Sequence, residues 1–262
     1  MITWILEEDI FNDNDDRLKN AALSAGHNVK RWTDEWHNFC PKSISKEDFV
    51  LFHGSLGTAK TINGLNYWLP GSFCKIDKYY CSEYYPKIKH LIINEIFEIT
   101  TVNNLVNNTK QILLSLNISE QIFVRPDSPF KPFSGRVLQT DNINLKALDH
   151  GFYYEDINLP IIVAKVRPIE NEWRFVISKD KVITGSSYLA DGRTEGATII
   201  DGEQFEFMKS IVSEIPIIDT ILIVDLCKTN SEYKILELNP FSGADLYACD
   251  RSKIVDQINE LI

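Results

Sequence analysis

The sequence has no apolar run approaching the roughly 20 residues that cross a bilayer, so no membrane-spanning helix is expected. It also lacks an excess of basic residues. Lys and Arg total 27 against 37 Asp and Glu, a formal net charge of −10. General nucleic-acid binding draws on surplus Lys and Arg, so no nucleic-acid partner is expected, although a local basic pocket remains compatible. The five cysteines (Cys40, Cys74, Cys81, Cys227, Cys249) are odd in number, and no pair has zinc-ligand spacing. Reduced, mostly buried thiols in a cytoplasm are the simplest reading, with Cys74 or Cys81 the candidate for a reactive one. The N-terminus, Met1-Ile-Thr-Trp-Ile-Leu-Glu-Glu-Asp, turns acidic at once, unlike a signal peptide. Internal repeats and low-complexity segments are missing too.

What is present is ordinary globular composition, 44% hydrophobic and 24% charged over 262 residues. That length holds one large domain or two modest ones. Residues 1–95 read as an α/β unit. Thr3 to Leu6, His27 to Trp32 and Phe49 to Phe52 are strands, and 15–25 is a helix stopped by Gly26. Strand, helix, strand with short connections predicts a mainly parallel sheet. The aromatic stretch 69–85 reads as packing. Residues 101–118 read as helix with Leu105, Ile112, Leu113 and Leu116 on one side. A strand-rich region begins at Ile122, and 139–158 is polar connector with a turn of helix at 145–148.

The most informative stretch is Ile221-Leu-Ile-Val-Asp225-Leu, a short polar turn, then Ile235-Leu-Glu237-Leu-Asn239-Pro240. It reads as a hairpin of two apolar strands. Glu237 and Asn239 lie two apart, so a strand sets both on one face. A turn centred near Ser231 puts Asp225 directly across from Glu237, with Cβ atoms roughly 4.5–5.5 Å apart. Two carboxylates so close repel unless a cation lies between them, and Mg²⁺ favours such oxygen ligands together with substrate phosphates. The bland alternative is a solvated sheet edge that carries two acids.

Two further clusters could meet a polyphosphate. In Phe123-Val-Arg125-Pro126-Asp-Ser-Pro-Phe-Lys131-Pro-Phe-Ser134-Gly135-Arg136, a strand delivers Arg125 to a loop that carries Lys131. Arg offers a planar fork to phosphate, Lys a mobile charge, and glycine lets backbone N–H groups come close. The alternative is a hairpin with a basic tip. In Glu172-Trp173-Arg174-Phe175-Val-Ile177 a strand sets Glu172 and Arg174 on one face and Trp173, Phe175 and Ile177 on the other. An arginine there needs an acid partner or an anion; Glu172 or another acid could be that partner. The apolar run 161–166 could offer backbone groups to an adenine edge.

Taken in order, these clusters resemble the ATP-grasp superfamily. Phe123-Val-Arg-Pro, Lys131-x-Phe-x-Gly135, Glu172-Trp-Arg174 and Glu237-Leu-Asn-Pro resemble its clade named for two arginines and a lysine, here Arg125, Arg174 and Lys131. His53-Gly-Ser-Leu and Trp68-Leu-Pro-Gly-Ser-Phe-Cys are similar to the pre-ATP-grasp half of bacterial and phage members.

The resemblance implies an α/β pre-ATP-grasp domain over 1–95 and an α+β ATP-grasp domain over 96–262. The latter would have two subdomains with antiparallel sheets, a nucleotide lid at about 119–168 and a metal-binding part at about 169–262. It implies an ATP-dependent carboxylate–amine ligase that works through an acylphosphate, in the cytoplasm. The alternatives are a phosphotransferase on the same scaffold or a non-catalytic nucleotide-binding module. By this analogy ATP with Mg²⁺ (or Mn²⁺) is the cofactor, and the metal lies on Asp225, Glu237 and Asn239. Arg125, Lys131, Ser134, Gly135, Ala164, Val166, Glu172 and Arg174 bind nucleotide, and Arg174 and Lys131 are catalytic. The hinge departs from the common pattern, with Ala164-Lys165 where many relatives carry an acid. The substrates would be a small-molecule or peptide carboxylate and an amine, and neither is legible.

Overall fold

A computed structural model describes residues 1–11, 14–148, 156–188 and 196–262. Residues 149–155 of the polar connector therefore lie outside the described residues. The chain divides into two compact units, one of Met1–Ile76 with Glu170–Ile262, the other of Asp77–Ile169.

The first unit begins with β1 (Ile2–Leu6), α1 (Asn14–Ser24), β2 (Asn28–Arg31), β3 (Phe49–His53), α2 (Leu56–Leu65) and β4 (Leu69–Gly71). The strands form a parallel sheet in the order β2-β1-β3-β4, as the strand–helix–strand pattern predicts. Gly26, at φ +77°, ends α1 in the left-handed backbone that glycine tolerates. Both faces of the sheet are covered, which is why β1 and β3 are almost wholly apolar, with Thr3 and His53 the exceptions. Ile5, Val50 and Phe52 pack with Trp32, Ala59, Ile62 and Trp68 on the α2 side. Ser55 caps α2, and the Glu7 carboxylate accepts from the Ser55 N–H (2.7 Å) and the Thr58 hydroxyl (3.0 Å).

The second unit holds α3 (Cys81–Tyr84), β5 (Phe97–Thr101), α4 (Val102–Asn107), α5 (Thr109–Ser115), β6 (Gln121–Pro126), β7 (Arg136–Gln139), α6 (Leu145–Leu148) and β8 (Pro160–Lys165). Its antiparallel sheet has the order β5-β8-β6-β7. Two details differ from expectation. Strand β5 precedes the region where strands were expected to begin, and the helix over 101–118 is two short ones that break at Asn108, whose φ is −118°. Leu105, Ile112 and Leu116 still face the core, with Ile122, Val124, Ile161 and Val163. Tyr79, Tyr84 and Tyr85 are buried, so those aromatics of the 69–85 stretch are packing.

The first unit resumes with β9 (Asn171–Ser178), β10 (Lys181–Tyr188), β11 (Thr198–Ile199), α7 (Glu203–Ile211), β12 (Ile221–Thr229), β13 (Glu232–Pro240) and α8 (Arg251–Asn259). These strands form an antiparallel sheet in the order β11-β10-β9-β12-β13. Val176, Ile221, Ile223 and Phe241 share one core with Trp4, Leu6, Leu51 and Leu18, and with Ile254, Val255 and Ile258 of α8. The Trp4 indole donates to His27 Nδ1 (3.1 Å), so Nε2 carries the ring proton and donates to Asn259 Oδ1 (2.8 Å). The five cysteines are all free thiols, four of them buried. Burial, then the charge of Asp219, pushes Cys74 up to about 12. That thiol is inert rather than reactive.

Candidate active site

The hairpin β12–β13 forms, and its register pairs Asp225 with Glu237. The turn is tighter than expected. Asn230 and Ser231, at φ +48° and +66°, make a two-residue connection of the kind that suits the strand twist. Uncorrected, that turn would set Asp225 opposite Leu236. A bulge between Asp225 and Leu226 in the pairing register adds one residue to β13 and restores Glu237 as the partner.

Across the sheet, one row reads Ser186, Arg174, Asp225, Glu237 on four adjacent strands. Directly opposed residues share a face, so these side chains converge. Arg174 donates from Nε to Asp225 Oδ1 and from Nη2 to Oδ2, both at 2.7 Å, a planar fork on a carboxylate. Its acid partner is therefore the cross-strand neighbour rather than Glu172. Nη1 donates to the Asp245 carbonyl (2.7 Å), and the guanidinium lies over the Tyr247 ring, 4.5 Å from its centroid. Burial works against the charge, but the attraction and hydrogen bonds of Asp225 outweigh it and hold Arg174 firmly protonated. Three of its five N–H groups are thus committed within the protein. One on each Nη remains, enough for an oxyanion.

Asn239, two residues beyond Glu237, donates from Nδ2 to Asp225 Oδ2 and to Glu237 Oε1, each at 3.1 Å. Both carboxylates thus turn an oxygen toward one point, where the partly positive amide sits. The groups gathered there are two carboxylates and an amide, the hard oxygen donors that suit Mg²⁺. The residues fit such an ion, provided Asn239 turns its carbonyl oxygen inward. Among the described residues no group of three or more His, Cys, Asp or Glu could hold a metal, so the amide is needed to complete any set. Glu172 stands two rows away on the same face, opposite Tyr188. Burial, then the charges of Asp225 and Glu172, raises the Tyr188 phenol, which is held protonated and hydrogen-bonded to Glu172.

In the second unit, Phe123 and Arg125 occupy the face of β6 that is opposite the core residues Ile122 and Val124. Phe123 pairs with Ala164 and Arg125 with Ile162, so Arg125 and Ala164 share that face. Arg125 is 9% exposed, and its Nη1 lies 3.5 Å from the Tyr85 hydroxyl. Gly135 has no room for a side chain, because a Cβ would come 2.8 Å from the Phe123 ring. Lys131 and Ser134 are exposed on the loop between β6 and β7. Lys131 has φ +47°, and its N–H closes a turn on the Ser128 carbonyl (3.1 Å). The loop base is pinned by Asp127, which accepts from the Ser82 N–H (2.7 Å) and hydroxyl (2.8 Å). Ala164 lies within the ladder between Phe97 and Phe123, whereas Val166 lies just past its end.

The sequence matches, over residues 100–257, the family described as the ATP-grasp domain, family 2 of the clade named for two arginines and a lysine. The chain belongs to that family. Membership brings ATP and Mg²⁺ with it as cofactors of the ATP-grasp domain. Among solved structures, the ATP-grasp ligase PsnB complexed with its minimal precursor is similar at TM-score 0.64 and 11% identity, covering 100% of this chain and 99% of that one. The D-cycloserine synthetase DcsG is similar at 0.62 and 10%, covering 100% and 99%. A RimK domain ATP-grasp protein from Sphaerobacter thermophilus is similar at 0.63 and 10%, covering 97% and 98%. At these identities the likeness is one of fold, and it includes the antiparallel sheets of the ATP-grasp domain. No curated protein matches the chain in sequence. Among the described residues, no helix is long and apolar enough to cross a membrane.

Sequence reasoning did not single out Asp245 and Tyr247. They follow the hairpin in an irregular segment and reach Arg174 only through the fold. Left-handed backbone at an aromatic residue leaves no mark in the sequence.

Proposed function

We propose that this ATP-grasp protein is an ATP-dependent carboxylate–amine ligase that works through an acylphosphate. The observation that carries the reading is the meeting of Arg174, Asp225, Glu237 and Asn239 on one sheet face. Asp225, Glu237 and Asn239 would hold Mg²⁺. Bound there, the ion would neutralise charge on the terminal phosphates of ATP. Arg174 would present its two remaining N–H groups to the transferring phosphoryl. Because Asp225, Asp245 and the Tyr247 ring already hold it, little reorganisation would be needed at the moment of transfer. The substrate carboxylate attacks the γ-phosphorus, ADP leaves, and an amine then displaces phosphate from the acyl carbon. The protein's part is positioning and charge neutralisation.

In this reading Arg125, Lys131, Ser134 and Gly135 bind the ATP phosphates, with Lys131 on a loop that closes over them. Val166 is better placed than Ala164 to offer backbone to adenine, since it lies past the ladder. Glu172 contributes to the nucleotide side through its partner Tyr188. Residues 1–95 act as the pre-ATP-grasp domain and 96–262 as the ATP-grasp domain, with the lid at about 119–168. The solved relatives named above include one complexed with a minimal precursor and a D-cycloserine synthetase. A peptide or small-molecule carboxylate is the proposed acceptor class, and the protein is proposed to act in the cytoplasm. The test is a screen of amino acids and short peptides for ADP release, with mass spectrometry of the product. ADP and phosphate in equal amounts with a new amide support the reading. A stable phosphorylated product without phosphate release would favour a phosphotransferase instead.

A further inference from the structure

Tyr247 has φ +46°, a left-handed backbone that is an outlier for a bulky side chain. Such conformations persist where surrounding contacts over-determine them, and they gather at functional sites. The contacts here are plain. The Tyr247 N–H donates to Asp245 Oδ1 (2.8 Å), Ala248 N–H to Ser186 Oγ (3.1 Å), and Asp250 N–H to Thr184 Oγ1 (2.9 Å). The segment 245–250 is thereby fastened to β10. Its two products both bear on one residue. The Asp245 carbonyl takes Nη1 of Arg174, and the Tyr247 ring lies against the guanidinium. The ring is backed in turn by Tyr188, with centroids 5.2 Å apart and planes at 40°. Tyr188 is itself anchored on Glu172.

We propose that Tyr247 is a positioning residue for Arg174, its ring and left-handed backbone fixing the guanidinium with its two remaining N–H groups toward the transferring phosphoryl. This rests on the ligase reading, which gives Arg174 its task. Asp225 alone grips one edge of the guanidinium and leaves the side chain free to swing about that edge. A second contact on Nη1 and a ring against one face remove that freedom. Precise orientation matters because a catalytic group displaced by about 1 Å can cost 100-fold in rate. The Tyr247 hydroxyl has no part in the argument; the ring does.

The test compares Tyr247→Phe, Tyr247→Leu and Tyr247→Gly in the full chain. Glycine relieves the left-handed backbone while it removes the ring, so it separates the ring's role from simple misfolding. Guanidinium rotation of Arg174 is read by arginine ¹⁵N NMR without any substrate, the resonance being assigned from Arg174→Lys. Rotation is expected to stay slow in Tyr247→Phe and to speed markedly in Tyr247→Leu and Tyr247→Gly. In those two variants kcat is expected to fall roughly 10- to 100-fold, the range for losing a residue that orients a functional one. KM for ATP should hold within about twofold, as for an interaction made only in the transition state. Unchanged rotation in Tyr247→Gly, or Tyr247→Phe behaving like Tyr247→Leu, would overturn the proposal. So would faster rotation with undiminished kcat. An inactive wild-type protein would instead defeat the ligase reading on which the proposal stands.

Discussion

Arg174 is gripped on two edges and one face by Asp225, Asp245 and Tyr247, and it is only 8% exposed. Lys131 stands exposed at a left-handed turn on the loop between β6 and β7, which Asp127 pins at its base and Phe133 anchors in the core of the second unit. Both are cations assigned, in the proposed reading, to the same polyphosphate. In that reading Arg174 is held in place before the phosphoryl arrives, as electrostatic preorganisation requires. In the same reading the loop is ordered by ligand, as loops that close over substrate commonly are.

The sharpest way to break this contrast is to remove the acid from the sheet. Asp225→Asn leaves a buried guanidinium without its counter-charge. The expected loss of stability is about 3 kcal/mol or more, read as a fall in urea midpoint, with turnover lost as well. Arg174→Lys keeps the charge but not the fork, so kcat should drop by about 100-fold with little change in ATP binding. Glu237→Gln should likewise lose most Mg·ATP turnover, because the proposed metal site would lose a charge worth several kcal/mol to the transition state. Its folded state should persist. Full activity in that variant would remove Glu237 from the metal site.

A smaller effect comes from His53, at the end of β3. Burial, then the nearby charge of Arg251, lowers its pKa from 6.5 to about 3, and the ring is neutral when folded. The unfolded chain binds this proton more readily below pH 6.5, so stability falls as pH drops from about 6.5 toward 3. On the order of 2 kcal/mol should be lost by pH 5. Urea titrations of His53→Gln beside wild type should show that this part of the acid dependence disappears in the variant. The smallest stability change belongs to the loop. Lys131→Ala should shift stability by less than about 0.5 kcal/mol, as surface substitutions do, while KM for ATP rises. Hydrogen exchange over 127–136 should slow with a non-hydrolysable ATP analogue, and unchanged exchange at saturation would end the idea of a closing loop.

Much of the sheet site was legible because its residues lie on strands. Period-2 spacing put Glu237 beside Asn239, and apolar neighbours marked both hairpin strands. The pairing of Asp225 with Glu237 was reached by two offsetting features. The turn is centred between Asn230 and Ser231, just ahead of the assumed centre, and the bulge at Leu236 makes up the difference. Neither is visible in a spacing count. The partner of Arg174 was open between Glu172 and another acid because cross-strand register, not spacing along one strand, decides it. Strand β5 escaped notice because it is a sheet edge, where Ile99 stays exposed and the apolar alternation is weak. Asn108 split a helix whose apolar side was otherwise read correctly. Asp245 and Tyr247 belong to the site only through tertiary contact.

The central claim is that a carboxylate oxygen attacks the terminal phosphorus of ATP. Turnover with a substrate acid labelled with ¹⁸O in both carboxylate positions tests it most directly. When the amine displaces phosphate from the acyl carbon, the bridging oxygen leaves with phosphorus. One ¹⁸O per turnover is therefore expected in inorganic phosphate, and none in the nucleotide. Label recovered in AMP, or phosphate that carries none, would contradict the mechanism.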